Sequence, residues 1–428
     1  MIATNGTKTI SSVAHHVMTK NNSAPCIVCD SKSVELFLDL GVTPLANKFL
    51  TKEQMSKPEP TFPLRVGLCA ECKHVQLLDG VPPSAMFEDY LYISSASDVL
   101  KAHLLDLSDI VTQRCGLTAQ DLVIDVGCND GTLLSGFQRH GVKVLGVDPA
   151  KNLVNFTAEK GIDRYVGFFN SQSAKEIVAK YGHAKVITAT NTFPHIPALR
   201  DFAQGLQTAL APGGFFVVEA HALFDMLDQV AFDTIYHEHI SYWALAPMIR
   251  LFEEHGMEVI SAERLPLHHG QLRVFVQRRG EGKVEPSVAE ILELEKKHGL
   301  DRMETYTAFA NNVERIKQDL MRTIGDLRAQ GKRIVGYGAP AKGNTLLCYL
   351  QLGPDKIDYI ADKSRLKQGL FTPGMHVPVV PPDRLLKDQP DYLLVLAWNF
   401  LDEIIEQQAE YRSRGGQFIV PVPQVKIV

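Results

Sequence analysis

Residues 122–134 read Leu-Val-Ile-Asp-Val-Gly-Cys-Asn-Asp-Gly-Thr-Leu-Leu. An apolar strand, broken only by Asp125, runs into Gly127. A tight turn follows through Gly131, and Thr132-Leu133-Leu134 opens a helix. A second strand, Val142–Val147, ends at Asp148. Strand, glycine turn, helix and strand make a βαβ unit. In such units the glycines let a ligand approach the backbone, and the acid at the second strand tip bonds ribose hydroxyls. The expectation is an α/β protein.

The ligand depends on the turn. A dinucleotide fold wants G-x-G-x-x-G, with a helix N-terminus facing the pyrophosphate. Here the turn is Gly127-Cys128-Asn129-Asp130-Gly131, with Asn129 in place of the middle glycine. Asn tolerates left-handed backbone better than most residues. With Asp125 ahead of Gly127, the pattern resembles motif I of class I S-adenosylmethionine (SAM) methyltransferases, where the turn accommodates a methionine moiety. NAD and a plain structural βαβ unit are the alternatives. Farther along, Ala184–Ala189 leads to Thr190-Asn191-Thr192-Phe193-Pro194-His195, and Leu210-Ala211-Pro212-Gly213-Gly214 precedes a strand at Phe215. Alternating strands and helices imply a largely parallel sheet covered on both faces.

Four of the seven cysteines form two pairs, Cys26-x-x-Cys29 and Cys69-x-x-Cys72. Each pair places two thiolates on one tight turn, and two such turns complete a tetrahedral, closed structural zinc shell. A redox Cys-x-x-Cys is the alternative. Short strands and turns are expected between the pairs. Cys115, Cys128 and Cys348 read as small core residues.

Asp233 to Tyr242 reads D-T-I-Y-H-E-H-I-S-Y. Extended backbone would put His237 and His239 on one face and Tyr236 and Glu238 on the other. The cluster suits a metal site, proton transfer or a hydrated loop. Carbon methylation by SAM needs no metal; it needs a base for an acidic C–H and donors for the enolate oxygen.

Glu285 to Arg328 reads as connecting helices. Arg333–Gly343 is a further strand and glycine turn carrying Lys342, which suits a phosphate or diphosphate. Strands at Ile357–Asp362 and Tyr392–Asn399 complete a second Rossmann-like domain, whose alternative is a purely structural role. The expected divisions are a flexible segment 1–23, a zinc-binding domain 24–87, a methyltransferase domain 88–282, and a helical connector with C-terminal domain 283–428.

The 428 residues are 45% hydrophobic and 22% charged, with a net charge of −5. This composition fits a soluble globular protein and offers no basic face for nucleic acid. No apolar run approaches the ~20 residues that cross a bilayer. The polar N-terminus lacks a secretory core, so the expected location is cytoplasmic.

Together these segments resemble the three-domain sugar C-methyltransferases that act on nucleotide-linked keto-deoxysugars and carry an N-terminal zinc domain. The resemblance covers nearly all of the chain after Ala24. Besides the cysteines and the SAM turn, it rests on Pro44-Leu45-Ala46-Asn47, Tyr90–Ser95, Asn191–His195, Tyr236–His239, Gly336–Lys342, Lys367-Gln368-Gly369 and Ala397–Phe400. It implies that a 4-keto-6-deoxy sugar loses a proton alpha to its ketone, commonly at C3, and that the enolate attacks the SAM methyl. It implies His239 as base, with Tyr90, His195, Tyr236 and Glu238 lining the same pocket. Asp125, Gly127, Asn129, Gly131, Asp148 and Asn191 would hold SAM. Tyr92, Ser94, Lys342, Lys367 and Asn399 would contact substrate. One departure is His268-His269-Gly270-Gln271-Leu272-Arg273, where family members often show His-Gly-Gly-Ser-Leu-Arg. The oligomeric state is left open. The alternatives are a SAM-dependent O- or N-methyltransferase of another small metabolite, and a non-catalytic zinc- and nucleotide-binding module.

Overall fold

The computed structural model describes residues 24–87, 93–266 and 270–428. Three sheets organise them. The first is antiparallel, with β1 (Val34–Pro44), β2 (Thr61–Cys69) and β3 (Val75–Leu77). Its fourth strand comes from much later in the chain: β9 (Ser241–Tyr242) pairs with β3.

The second sheet has seven strands: β4 (Leu122–Val126), β5 (Lys143–Val147), β6 (Asp163–Tyr165), β7 (Ala184–Thr190), β8 (Leu210–His221), β10 (Met257–Leu265) and β11 (Gln271–Arg278). Their order is β10-β11-β8-β7-β4-β5-β6. Strands β4 to β8 pair in parallel, while β11 runs antiparallel to its neighbours β8 and β10. All five residues of β4 are buried, as a strand covered on both faces requires. Strand order reverses between β4 and β7, which opens a crevice beyond their carboxyl ends.

The third sheet holds β12 (Ile334–Tyr337), β13 (Ile360–Ala361), β14 (Val379–Val380), β15 (Tyr392–Val395), β16 (Gln417–Val420) and β17 (Lys426–Ile427), in the order β14-β13-β12-β15-β16-β17. Only β17 is antiparallel. Its own switch point lies between β12 and β15. Helices Pro286–Lys297 and Met303–Ala329 precede this sheet. The longer one buries Tyr306, Phe309, Val313, Ile316, Leu320, Ile324 and Leu327, the three-and-four spacing of an amphipathic face. Among the described residues no helix is long and apolar enough to cross a membrane.

The three sheets share one continuous hydrophobic core, and specific polar contacts join them as well. Leu50 and Phe371 exchange both backbone hydrogen bonds at 2.9 Å. Asn344 Nδ2 donates to the Ala46 carbonyl at 2.7 Å, and Trp398 Nε1 donates to Asp233 Oδ2 at 2.7 Å. Under the second sheet, Phe193 stacks on Trp243 at 4.6 Å between ring centroids and touches Phe202, Phe216 and Phe252. Phe193 is fully buried and directly precedes Pro194-His195. Replacing Phe193 with Ala should cost about 3–5 kcal/mol of stability, read as a lower urea midpoint at unchanged slope; an unchanged midpoint would show that this aromatic stack does not support the fold.

Candidate active site

A cavity of about 900 Å³ opens beyond β4 and β7 and extends to the third sheet. At its first end lies the glycine turn. Gly127 has φ +76°, and a Cβ there would sit 2.0 Å from Thr192 Oγ1, so only glycine fits. Asn129 is itself left-handed, at φ +51°. Its N–H donates to Asp148 Oδ2 at 2.8 Å, and its Oδ1 accepts from the Ser94 N–H at 2.9 Å. Gly131, at φ +76°, starts the helix Thr132–Arg139.

Burial pushes the Asp125 carboxyl up to about 7, against the Thr188 hydroxyl that donates to it at 2.6 Å. Burial also raises Asp148, opposed by Arg164, whose Nη2 donates to Oδ1 at 2.8 Å. The Ala150 N–H reaches the same oxygen at 2.8 Å. With the Asn129 bond, three donors already meet Asp148, and a carboxylate has about four acceptor positions. One position remains for a ligand hydroxyl. Asn191, at φ +55°, accepts from Gln271 Nε2 at 2.8 Å through its side-chain oxygen. Gly167, Phe168, Phe169 and Asn170, just past β6, close this end.

Two observations test whether this wall suits an adenosyl cofactor. Gly127, packed against Thr192 without a side chain, lets the backbone itself form the cavity wall, and the buried Thr190 Oγ1 on that wall has no hydrogen-bond partner among the described residues. The residues fit: Asp125, Gly127, Asn129, Gly131, Asp148 and Asn191 all face or shape this end.

The four paired cysteines converge. Cys26 and Cys72 lie 3.4 Å apart at sulfur, Cys29 and Cys69 3.6 Å, and all four sulfurs fall within 4.8 Å of one another. Tetrahedral zinc with 2.3 Å bonds puts its sulfurs about 3.8 Å apart, so the cluster fits the ion. Each knuckle is finished by one left-handed residue, Asp30 at φ +57° and Lys73 at φ +62°. The second pair brackets the β2–β3 corner, so the metal clamps the sheet that receives β9.

The histidine segment is a turn, neither the extended strand that would have aligned His237 with His239 nor a helix. The His239 N–H bonds to the Tyr236 carbonyl at 2.9 Å, and Tyr236 and His239 therefore share a face with ring centroids 4.1 Å apart. His239 Nδ1–H donates to the Thr234 carbonyl at 2.7 Å, which fixes the tautomer. Its Nε2 lone pair takes the Tyr236 hydroxyl at 2.9 Å. Burial drives His239 well below its ordinary value, helped by the neighbouring His195 and His221. His195 is lowered to about 4 by loss of water, although its Nδ1–H donates to the Glu238 carbonyl at 2.6 Å.

Tyr236, His239 and His195 line the cavity, as does His221, whose ring lies 5.4 Å from that of His239. The Glu238 carboxylate sits behind the wall, 2% exposed, and takes Asn47 Nδ2 at 2.8 and 2.9 Å; it is Asn47 that faces the cavity. His237 points the other way, donating from Nε2 to the Pro63 carbonyl at 3.2 Å with its ring edge on Phe62. It docks the turn onto β2.

At the far end lie Tyr337, Gly338, Lys342, Lys367, Asn399 and Phe400. Lys342 bonds Asn399 Oδ1 and lies over the Trp398 ring at 4.5 Å. Desolvation lowers it to about 8, opposed by Asp233. Lys367 donates to the Ala339 carbonyl at 2.8 Å. Ser94, expected beside substrate, lines the cavity where its backbone meets the Asn129 side chain. Tyr90, Tyr92, His268 and His269 lie outside the described residues. His221 and Phe168 escaped the sequence reading, and Asn47 was singled out there only as part of Pro44-Leu45-Ala46-Asn47, with no role in the site. Asn47 is 191 positions from its partner Glu238, and no local pattern links them.

A seven-stranded Rossmann-like sheet with this turn, beside a four-cysteine module, defines a SAM-dependent methyltransferase with a structural zinc site. Family models match in sequence: a zinc binding domain over residues 26–87, a methyltransferase domain over 102–262, and a C-methyltransferase C-terminal domain over 266–423. C-methyltransferase NovU of Streptomyces niveus is 36% identical, over 94% of this chain and 96% of its own. The chain belongs to this family of C-methyltransferases. A ubiquinone biosynthesis O-methyltransferase of Coxiella burnetii is 24% identical over 32% of this chain and 66% of its own. The solved structure of the PH0226 protein of Pyrococcus horikoshii superposes with a TM-score of 0.35 at 13% identity, covering 46% of this chain and 97% of that one.

The Gly127→Ala variant should bind S-adenosylhomocysteine about 10- to 100-fold more weakly by calorimetry, with zinc content unchanged, because its methyl collides with Thr192. Unaltered affinity would remove this turn from the cofactor site.

Proposed function

We propose that the protein methylates carbon in a nucleotide-linked 4-keto-6-deoxy sugar, at the position alpha to the ketone, with C3 the expected one. The observation that supports this most is that the Tyr236–His239 pair lines the same cavity as the glycine turn and Lys342. The glycine turn lies at one end of that cavity and Lys342 with Asn399 at the other. S-adenosylmethionine, when bound, supplies the electrophilic methyl group.

His239 is the base. Its Nδ1–H is committed to Thr234, so Nε2 carries the lone pair toward Tyr236. When a ketone enters, the Tyr236 hydroxyl turns from Nε2 to the carbonyl oxygen. The freed nitrogen takes the alpha proton, and the C–H electron pair becomes the enolate held by Tyr236. S-adenosylmethionine, held by the glycine turn, Asp148 and Asn191, would supply the methyl group to that carbon and depart as S-adenosylhomocysteine, and the proton on His239 leaves to solvent. Burial keeps His239 neutral at the start, the state a base requires. A weak base needs a strongly stabilised enolate, and the cavity supplies donors out of bulk water. Tyr90 joins Tyr236 in this role by resemblance. Lys342, Lys367 and the start of helix Ala341–Leu350 suit the diphosphate. Four zinc-bound thiolates fit a reducing, cytoplasmic setting.

In deuterium oxide the enzyme should exchange hydrogen alpha to the ketone of a nucleotide-linked 4-keto-6-deoxyglucose and give a C-methyl product with SAM. His239→Asn should lower kcat by about 10²–10⁴. The base must be unprotonated to act, and its pKa lies well below 6.5, so the acid limb of kcat/KM should fall below pH 6.5. An O-methylated product without exchange, or a fully active His239→Asn enzyme, would refute the reading.

A further inference from the structure

We propose that Asn47, carried on the zinc-binding segment, recognises the substrate: its side-chain carbonyl oxygen accepts a hydrogen bond from a ring hydroxyl of the sugar, in an orientation imposed by Glu238. The proposal rests on the ketosugar reading above.

The two ends of an Asn amide are ordinarily hard to tell apart, and the hydrogen-bond network must decide. Here the chemistry decides. An ionised Glu carboxylate only accepts, and an amide nitrogen only donates. Asn47 Nδ2 lies 2.8 and 2.9 Å from the two Glu238 oxygens. Turned over, the amide would press Oδ1 against both of them. The Glu238 carboxylate lies near the Lys367 ammonium, whose charge it helps to hold against desolvation. Nδ2 therefore faces Glu238, and Oδ1 faces away from it.

Asn47 is part of the cavity wall together with Tyr236 and His239. No described residue donates to its Oδ1, which leaves two lone pairs for a ligand. The peptide that carries it is anchored from behind, since Asn344 Nδ2 holds the Ala46 carbonyl at 2.7 Å. Two side chains from two other parts of the chain thus preorganise one acceptor, which reduces the ordering cost of binding. An acceptor enclosed beside the reacting groups selects for a donor. A sugar carbon lacking its hydroxyl leaves the carbonyl unpaired, and sites built on such pairs reject the analogue strongly.

The test compares a nucleotide-linked 4-keto-6-deoxyglucose with its 2-deoxy and 3-deoxy counterparts. The parent enzyme should favour the hydroxylated sugar over one deoxy sugar by about 10- to 100-fold in kcat/KM. Asn47→Ala should lose that factor on the hydroxylated sugar and keep its rate on the deoxy one, with zinc content and S-adenosylhomocysteine affinity unchanged. Glu238→Gln, whose amide lets Asn47 turn over, should lose part of the same preference and serves if Asn47→Ala does not fold. A parent that turns over none of these sugars overturns the ketosugar reading and this proposal with it. A parent that turns them over without preference, or a preference that survives in Asn47→Ala or Glu238→Gln, overturns the role of Asn47 alone.

Discussion

The peptide of Ile240 is hydrogen-bonded on both sides. Its N–H meets the Pro194 carbonyl at 2.8 Å, and its carbonyl takes the Leu77 N–H at 2.9 Å. The next two residues form β9 and pair with Val75 and Gln76. Backbone groups in a buried place must find partners, and here they find them in two different parts of the fold. The turn Tyr236–His239 is thereby strung between the methyltransferase sheet and the zinc-clamped sheet. Its geometry follows: the Thr234 and Glu238 carbonyls receive the Nδ1 protons of His239 and His195, and Tyr236 lies across the imidazole of His239. The zinc module is thus a wall of the cavity as well as a clamp.

Desolvation is the common electrostatic theme along that cavity. It raises Asp125 to about 7, lowers His195 to about 4 and Lys342 to about 8, and holds His239 well below its ordinary value. Acids move up and bases move down, as they do when water is withdrawn. The same withdrawal strengthens each hydrogen bond that a developing negative charge would receive. Asp233 ties this environment to the third sheet, because the indole that receives Lys342 over its ring donates to the Asp233 carboxylate.

Much of this architecture was legible in the sequence where local rules govern it. The strand Leu122–Val126, the turn through Gly131 and the acid Asp148 follow from strand pattern and glycine geometry. The cysteine spacing alone assembles the zinc shell. What was not legible depends on long-range pairing. The segment at Tyr236 reads equally well as extended chain; in the fold the His239 N–H closes a turn on the Tyr236 carbonyl, and Ile240 beyond it is anchored by Pro194 and Leu77. Glu238 looks like an active-site acid in sequence, whereas the fold places Asn47 between it and the cavity. His237 is as conspicuous as His239 in sequence, and its bond to Pro63 sends it to the other side. His221 is a strand end with no motif around it.

The zinc-clamped sheet holds the Tyr236–His239 turn in place, and hydrogen exchange by mass spectrometry measures that dependence. Stripping the metal with a chelator should speed exchange in peptides covering residues 75–77 and, together with them, 235–242, while β4 and β5 stay protected. Acceleration confined to residues 24–77, with 235–242 unchanged, would show that the turn holds its place without the zinc-clamped sheet.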